Sequence, residues 1–162
     1  MSDLCFDNLV LKPDDIDTVI YHGPYCPDGF VSAYAAWKYV KDKGGGKEDQ
    51  LEFYPLAAGS TKAPKLSGKN ILMADLCIDL KAIKKLLENN KLIILDHHKT
   101  ALSVIKELDP NLYVVTMENS GAYITWKYFF PDAPVPKLVQ YVQDRDIWTN
   151  KMEYTKEFTS WF

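Results

Sequence analysis

Cysteine, histidine and long apolar runs are scarce in this sequence. Its three cysteines, Cys5, Cys26 and Cys77, are far apart and form no CxxC pair, so neither a disulfide framework nor a zinc knuckle is predicted. No run approaches the roughly 18 apolar residues of a membrane-spanning helix, and no basic segment followed by an apolar one opens the chain. These absences favour a protein of the reducing cytoplasm that has no membrane partner.

An excess of positive charge is missing as well. The 19 Lys and Arg residues face 22 Asp and Glu residues, which gives a formal net charge of −3, so no overall basic field would attract nucleic acid. Apolar residues, in contrast, make up 47% of the 162 positions, enough for one sizeable core. We therefore expect a single domain over 1–162, and a polyanionic ligand would need a local source of positive charge.

Short aliphatic or β-branched runs alternate with longer segments whose apolar residues recur at helical spacing. The predicted strands are residues 18–21, 51–56, 70–74, 91–95 and 112–116. The predicted helices start near residue 29, at 80 after Asp79 as N-cap, at Thr100 as N-cap, at Ser120, and near 136 with its end at 144. Since parallel neighbours need crossover connections, this alternation predicts an α/β fold: a Rossmann-like three-layer α/β/α domain with a mainly parallel sheet of about five strands.

Acidic and imidazole side chains gather where the predicted strands end, and in open α/β sheets ligands bind outside the carboxyl ends of the strands. A lone histidine is more often a surface or core residue, and a lone aspartate after a strand often caps the following loop. Here all three histidines lie at strand ends among carboxylates, which predicts a metal site. The residues concerned are His22, Cys26 and Asp28 after the first strand, Asp75 after the third, and Asp96, His97 and His98 after the fourth.

This combination of side chains suits Mn²⁺ or another divalent first-row ion, and a carboxylate can bridge two such ions. Two ions about 3.5–4 Å apart form a clamp for phosphoryl transfer. Such a pair would activate a water, neutralise phosphate oxygens, and supply the positive charge that the composition lacks. The residues alone therefore predict a two-metal centre for a phosphate-containing ligand.

The segment LDHHKTA (95–101) resembles the signature of the DHH superfamily of phosphoesterases. A bare DHH triplet is weak, whereas several ordered motifs in matching strand context are specific. The others follow in the expected order: HGPYCPDGF (22–30) resembles the first motif, ADLCID (74–79) the second, SGAYITWKYF (120–129) the helix after the signature, and YVQDRDIW (141–148) the fourth motif. The chain thus resembles the N-terminal catalytic domain of that superfamily over nearly its whole length.

The resemblance implies metal ligands and catalytic roles. One metal would take His22, Cys26 and Asp75, and the other would take Asp28, Asp75, His97 and an aspartate of the fourth motif, with Asp146 preferred and Asp144 as the alternative. Asp75 would bridge the two ions, and Mn²⁺ is expected, with Mg²⁺, Zn²⁺ or Fe²⁺ as alternatives.

Among the catalytic residues, Asp75 and His97 would act through the metals. His98 would contact the substrate phosphate or its leaving group, and Asp96 would orient an imidazole. Arg145 would pair with the phosphate, unless it only forms a surface salt bridge.

Two departures from the family pattern bear on function. Many members carry aspartate at the position of Cys26, and a thiolate there would favour zinc or iron over manganese; alternatively, Cys26 is only a small loop residue. The chain also stops soon after the fourth motif, without the C-terminal substrate-binding domain that members usually carry. We therefore expect it to be a fragment of a longer protein.

The resemblance implies a metal-dependent hydrolase of phosphoester or phosphoanhydride bonds that uses a metal-activated water. The expected ligand is a phosphate-containing small molecule or a short single-stranded nucleic acid, and the substrate class is a short oligonucleotide, a small nucleotide or polyphosphate. The alternative is a catalytically weakened metal-binding or nucleotide-binding module of the same fold. Because the fold alone does not distinguish a hydrolase from a binding module, the choice between them depends on the residues of the site.

Overall fold

The computed structural model describes residues 4–44, 46, 48–57 and 59–160, so the remaining positions of the predicted 1–162 domain lie outside it. A sheet of five parallel strands forms its centre, in the order β2-β1-β3-β4-β5. The strands are β1 (Thr18–His22), β2 (Glu52–Leu56), β3 (Asn70–Ala74), β4 (Lys91–Asp96) and β5 (Tyr113–Val115). The α/β prediction of about five mainly parallel strands is confirmed, although β5 is shorter than predicted.

Six α-helices accompany the strands in the part of the chain that the structure describes. They are α1 (Pro27–Lys43), α2 (Leu80–Leu87), α3 (Ala101–Ile105), α4 (Gly121–Phe129), α5 (Lys137–Asp146) and α6 (Thr155–Thr159). α1 begins two residues before the predicted start, and α6 was not predicted. The Asp79 cap is confirmed, since its carboxylate accepts a hydrogen bond from Lys81 N at 2.9 Å. Thr100 directly precedes α3, as predicted, but it has helical backbone angles and its side chain makes no capping hydrogen bond.

The helices cover both faces of the sheet, which makes the domain three-layered. On one face, Val19, Leu72 and Ile93 pack with residues of α1, α4 and α5. On the other, alternate strand residues such as Ile20 and Ile94 pack against α2 and part of α3. With both faces covered, the interiors of the central strands β3 and β4 are buried and apolar at every position, as parallel strands usually are.

The strand order places a topological switch point between β1 and β3. The chain leaves β1 toward β2 on one side, whereas β3, β4 and β5 lie on the other side. In sheets of this order, ligands bind in the crevice outside the carboxyl ends of the strands at the switch point. The ends of β1, β3 and β4 are therefore where a functional site is expected. Within the described ranges, no helix is both long and apolar enough to cross a membrane.

Candidate metal centre

The strand ends bring the predicted site residues of three neighbouring strands together. His22 is the last residue of β1, Asp75 directly follows β3, and Asp96 is the last residue of β4, with His97 and His98 after it. Asp75 continues the sheet pairing, since its N–H donates to the Leu95 carbonyl at 2.8 Å. Its φ of 56° lies in the left-handed region, which a non-glycine residue adopts only where the surroundings hold it. The turn directs a buried carboxylate into the crevice.

The start of α1 adds two further predicted residues. Cys26 is the N-cap of α1, and Asp28 lies in its first turn. Gly29 allows this approach, because a Cβ there would stand 1.9 Å from the His22 carbonyl oxygen. Any side chain at position 29 would push α1 away from β1, and with it Asp28.

The start of α4 holds Asp28 in place. The N–H groups of Gly121 and Ala122 donate to the two Asp28 carboxylate oxygens at 2.7 and 2.9 Å, and Asp28 is only 1% exposed. Ser120 caps the same helix by accepting from Tyr123 N at 3.3 Å. Gly121 also lies against Asp75, where a Cβ would stand 2.5 Å from the Asp75 Cβ. Gly29 and Gly121 were not predicted as site residues, although each lies inside a motif that was considered. Their position in the first turn of a helix is the signal that could have identified them.

Three carboxylates surround one ring nitrogen of His97. Its Nε2 lies 3.2 Å from Asp75 Oδ1, 3.2 Å from Asp146 Oδ2 and 3.4 Å from Asp28 Oδ2. Single ligand atoms of Asp28, His97 and Asp146 all lie within 4.8 Å of one another. These residues come from α1, the end of β4 and α5, so the arrangement exists only in the folded chain.

The other oxygen of Asp75 faces a second group. Asp75 Oδ2 lies 3.4 Å from His22 Nδ1 and 3.5 Å from Cys26 Sγ, and these three residues offer ligand atoms within 4.8 Å of one another. Asp75 therefore presents one oxygen to each group of residues. That is the geometry a carboxylate needs in order to bridge two ions.

His98 and Asp96 form a pair beside these groups. Asp96 Oδ1 lies 2.7 Å from His98 Nδ1 and also accepts the His97 N–H at 2.8 Å. Because Asp96 is completely buried, this pair fixes the orientation of the His98 ring. The ring is partly exposed at 38% and contacts the His97 ring at a tilt of 54°, with 4.5 Å between the ring centroids.

Crowded acids perturb the titration of the whole cluster. Burial raises the pKa of Asp28 well above its usual range, and the charges of Asp75 and Asp146 raise it further. Burial would also raise the pKa of Asp75, but contacts with His22 and His97 hold it below its usual range. The Asp75 contact raises the pKa of His22 to about 10. Burial lowers the pKa of His97, yet Asp75 and Asp28 outweigh it and raise that pKa to about 9.

Several of these polar atoms are buried without a hydrogen bond from the described part of the chain: His22 Nδ1, Asp75 Oδ1, Asp96 Oδ2 and His97 Nε2. The His22 and His97 nitrogens lie 3.4 and 3.2 Å from Asp75 oxygens, but these contacts are not aligned for hydrogen bonding. Buried polar atoms are normally satisfied, so such a group needs an explanation. A bound cation would satisfy them and replace protons on the imidazoles, since metal ligands bind in their deprotonated form. The donor set of imidazole, carboxylate and thiol fits a divalent metal.

The structure separates the two aspartates of the fourth motif. Asp146 faces His97, as described above, whereas the Asp144 carboxylate is only 6% exposed and does not reach the cluster. It accepts hydrogen bonds from Thr149 Oγ1 (2.5 Å), Lys151 N (2.8 Å), Met152 N (3.1 Å) and Thr155 Oγ1 (2.5 Å). Asp144 therefore anchors the segment after α5 and is not placed to bind the same metal.

Replacing Asp144 with alanine is expected to lower the free energy of unfolding by about 3 kcal/mol, because its buried donors would lose their acceptor. The carboxylate pKa falls to about 2: burial opposes this, and hydrogen bonds such as those from Thr149 and Thr155 outweigh it. Its stabilising contribution is therefore present above about pH 4 and is lost as the pH falls toward 2. Denaturant melts of the wild type and Asp144→Ala at pH 7 and pH 3 measure the difference in their free energies of unfolding. The same difference at both pH values would contradict the prediction.

Arg145, predicted to bind phosphate, lies at the edge of the cluster. Its guanidinium carbon is 4.5 Å from the ring centroid of Trp148, and both residues line a cavity together with Asp28 and Asp146. The alternative of a surface salt bridge finds no support, since no ion pair of Arg145 occurs among the described residues. The structure thus gathers His22, Cys26, Asp28, Asp75, Asp96, His97, His98, Arg145 and Asp146, and leaves out Asp144.

Among the comparisons with known proteins, one solved structure bears on the fold. No protein-family model matches the chain. The chain is similar to an uncharacterised protein of Acanthamoeba polyphaga mimivirus, with 38% identity over 164 residues that cover 96% of this chain and 39% of the relative. It therefore spans about two fifths of that relative's length. The crystal structure of an uncharacterised protein from Helicobacter pylori matches with a TM-score of 0.57 and 18% identity, over 83% of this chain and 44% of the other. That likeness shows a shared fold.

Proposed function

We propose that the cluster binds two divalent cations, Mn²⁺ by preference, and that the chain carries the metal centre of a phosphoesterase resembling the DHH superfamily. The observation that carries this proposal is the position of Asp75 between two groups of ligands. One oxygen contacts His22 and Cys26, and the other contacts His97. A buried carboxylate shared in this way, among buried atoms without hydrogen bonds, is suited to bridging two ions.

When bound, the two ions would activate a water and neutralise charge on the phosphate. The protein's own residues would do the rest. Asp96 holds His98 by its Nδ1, which leaves Nε2 to donate to a phosphate oxygen or to the leaving oxygen. Arg145 offers a forked set of donors beside the cluster. The reaction supported is hydrolysis of a phosphoester or phosphoanhydride bond.

The test is metal content together with metal-dependent hydrolysis, with Cys26→Asp as the informative variant. The wild-type protein is expected to bind Mn²⁺ and to hydrolyse a short oligonucleotide, and a chelator should remove both properties. Because a carboxylate is a harder ligand than a thiolate, Cys26→Asp should raise the ratio of Mn²⁺ affinity to Zn²⁺ affinity by about tenfold over the wild-type ratio. Equilibrium dialysis with metal analysis measures this.

The outcomes separate the candidate functions. Hydrolysis that survives complete chelation would contradict the proposal. Metal binding without hydrolysis in both the wild type and Cys26→Asp would favour the alternative of a metal-binding or nucleotide-binding module. An unchanged metal preference in Cys26→Asp would show that the thiol is only a small loop residue, although Cys26 Sγ lies 3.5 Å from Asp75 Oδ2.

A further inference from the structure

An exposed tryptophan stands at the mouth of the metal cluster. Trp148 is 75% exposed and lines a cavity of about 270 Å³ together with Asp28, Arg145 and Asp146. Because Asp28 and Asp146 both face His97, the cavity joins the indole to the ligand group around His97. Pockets that enclose drug-sized ligands measure roughly 300–1,000 Å³, so this cavity suits about one ring system.

The backbone holds Trp148 in a conformation that a large aromatic residue rarely adopts. Its φ is 58°, in the left-handed region, where bulky side chains are outliers. The Asp144 carboxylate restrains the residues that follow, through Thr149 Oγ1 at 2.5 Å and Lys151 N at 2.8 Å. Strained residues that the surroundings hold in place are concentrated at ligand-binding sites. The anchoring by Asp144 thus presents the indole at the cluster.

Arg145 covers one face of the indole and leaves the other open. The guanidinium carbon lies 4.5 Å from the Trp148 ring centroid, so the large exposed fraction belongs to the opposite face and the ring edge. An aromatic face of this kind stacks with any nucleobase. The guanidinium beside it can donate to a phosphate, and it lines the same cavity as Asp28 and Asp146.

We infer that Trp148 is a stacking platform for the base of a nucleotide whose phosphate lies at the metal cluster and Arg145. The inference rests on the proposed function and narrows its substrate class to nucleotides and short oligonucleotides. Inorganic polyphosphate has no aromatic face and would gain nothing from an exposed indole. Trp148 is then a substrate-binding residue and takes no part in bond cleavage.

Equilibrium binding of two probes to the Mn²⁺-loaded protein tests this without relying on turnover. Adenosine 5′-monophosphate carries a base, whereas ribose 5-phosphate has the same phosphate and sugar without one. Trp148→Ala should weaken binding of the nucleotide by roughly 5- to 150-fold, and Trp148→Phe should retain most of the affinity. Binding of ribose 5-phosphate should be equal in all three proteins. Isothermal titration calorimetry measures each constant.

Trp37→Ala is the matched control. Trp37 also has a cation above its ring, with Lys41 Nζ at 4.4 Å from the centroid, but it lies nine residues beyond Asp28 on α1, about 14 Å along the helix. Its loss should leave nucleotide binding unchanged. Equal nucleotide affinity in the wild type and Trp148→Ala would overturn the inference. So would no nucleotide binding to the wild type, or an equal loss for both probes.

The inference and the proposed function can fail separately. If nucleotide binding depends on Trp148 but no phosphoester is hydrolysed, the stacking site stands and the hydrolase proposal fails. If oligonucleotides are hydrolysed but Trp148→Ala binds the nucleotide as tightly as the wild type does, the hydrolase proposal stands and the stacking site fails. A melting curve of Trp148→Ala that coincides with that of the wild type excludes unfolding as the cause of any loss.

Discussion

Replacing Asp75 with asparagine is expected to lower hydrolysis by at least about 10³-fold and to abolish binding of the second metal ion. The change keeps the shape of the side chain but removes the charge that both ligand groups share. Individual groups that stabilise transition-state charge are typically worth 10²–10³-fold, and Asp75 would also hold the metals. His97→Ala should have a comparable effect, because His97 Nε2 contacts three carboxylates. Initial rates and metal stoichiometry measure both variants.

Asp79→Asn is the matched control for Asp75→Asn. Asp79 lies four positions further along the same segment, but its carboxylate caps α2 through Lys81 N. Asparagine is an equally good N-cap, so stability, metal content and hydrolysis should all stay at wild-type values. Full activity in Asp75→Asn and in His97→Ala would refute the site, and equal losses in Asp79→Asn would trace the effect to folding.

Gly121→Ala is expected to damage stability and metal binding together. The added Cβ would stand 2.5 Å from the Asp75 Cβ and 2.6 Å from Asp75 Oδ1, so either α4 or the carboxylate must move. Overpacking of this kind typically costs about 1–3 kcal/mol. Because Gly121 N also donates to Asp28 at 2.7 Å, the shift should lower metal affinity by about 10- to 100-fold. Denaturant melts and metal titrations measure the two effects.

Gly68→Ala separates steric crowding from the general cost of losing a glycine. Gly68 has a φ of 70°, and nothing lies within 4 Å of an added Cβ. The free energy of unfolding of Gly68→Ala should therefore fall by about 1–2 kcal/mol, because alanine is strained in the left-handed conformation. Metal affinity should not change, because Gly68 lies in the loop before β3. Wild-type metal affinity in Gly121→Ala would show that the contact with Asp75 can relax without cost.

Much of the sheet is predictable because its signal is local. The runs 71–74 and 92–95 are continuous apolar segments, and both form buried strand interiors. The helix ends were less predictable, since short polar residues cap helices only when the backbone is extended at that position. Asp79, with a ψ of 138°, makes the capping bond, whereas Thr100, with a helical ψ of −29°, does not. The short α6 was missed because five residues carry too little helical periodicity to detect.

Most of the candidate site follows from the same logic. Carboxyl ends of neighbouring parallel strands meet at one edge of the sheet, so residues such as His22, Asp75 and His97 were expected to converge. Gly121 was not expected as a site residue, because its importance is a steric relation to Asp75 across 46 positions of chain. A close approach between residues so far apart in the chain cannot be predicted from composition or from the spacing of residues.

By itself, the sequence determined the succession of strands and helices along the chain and the kinds of side chain at the strand ends. Both depend only on short segments of the sequence. Only the tertiary structure decided between Asp144 and Asp146. Residues two apart on a helix point in nearly opposite directions, and the packing of α5 turned Asp146 toward His97 and Asp144 toward Thr149 and Thr155. Periodicity describes the angle between two side chains, and packing against the rest of the fold decides which of them faces the cluster.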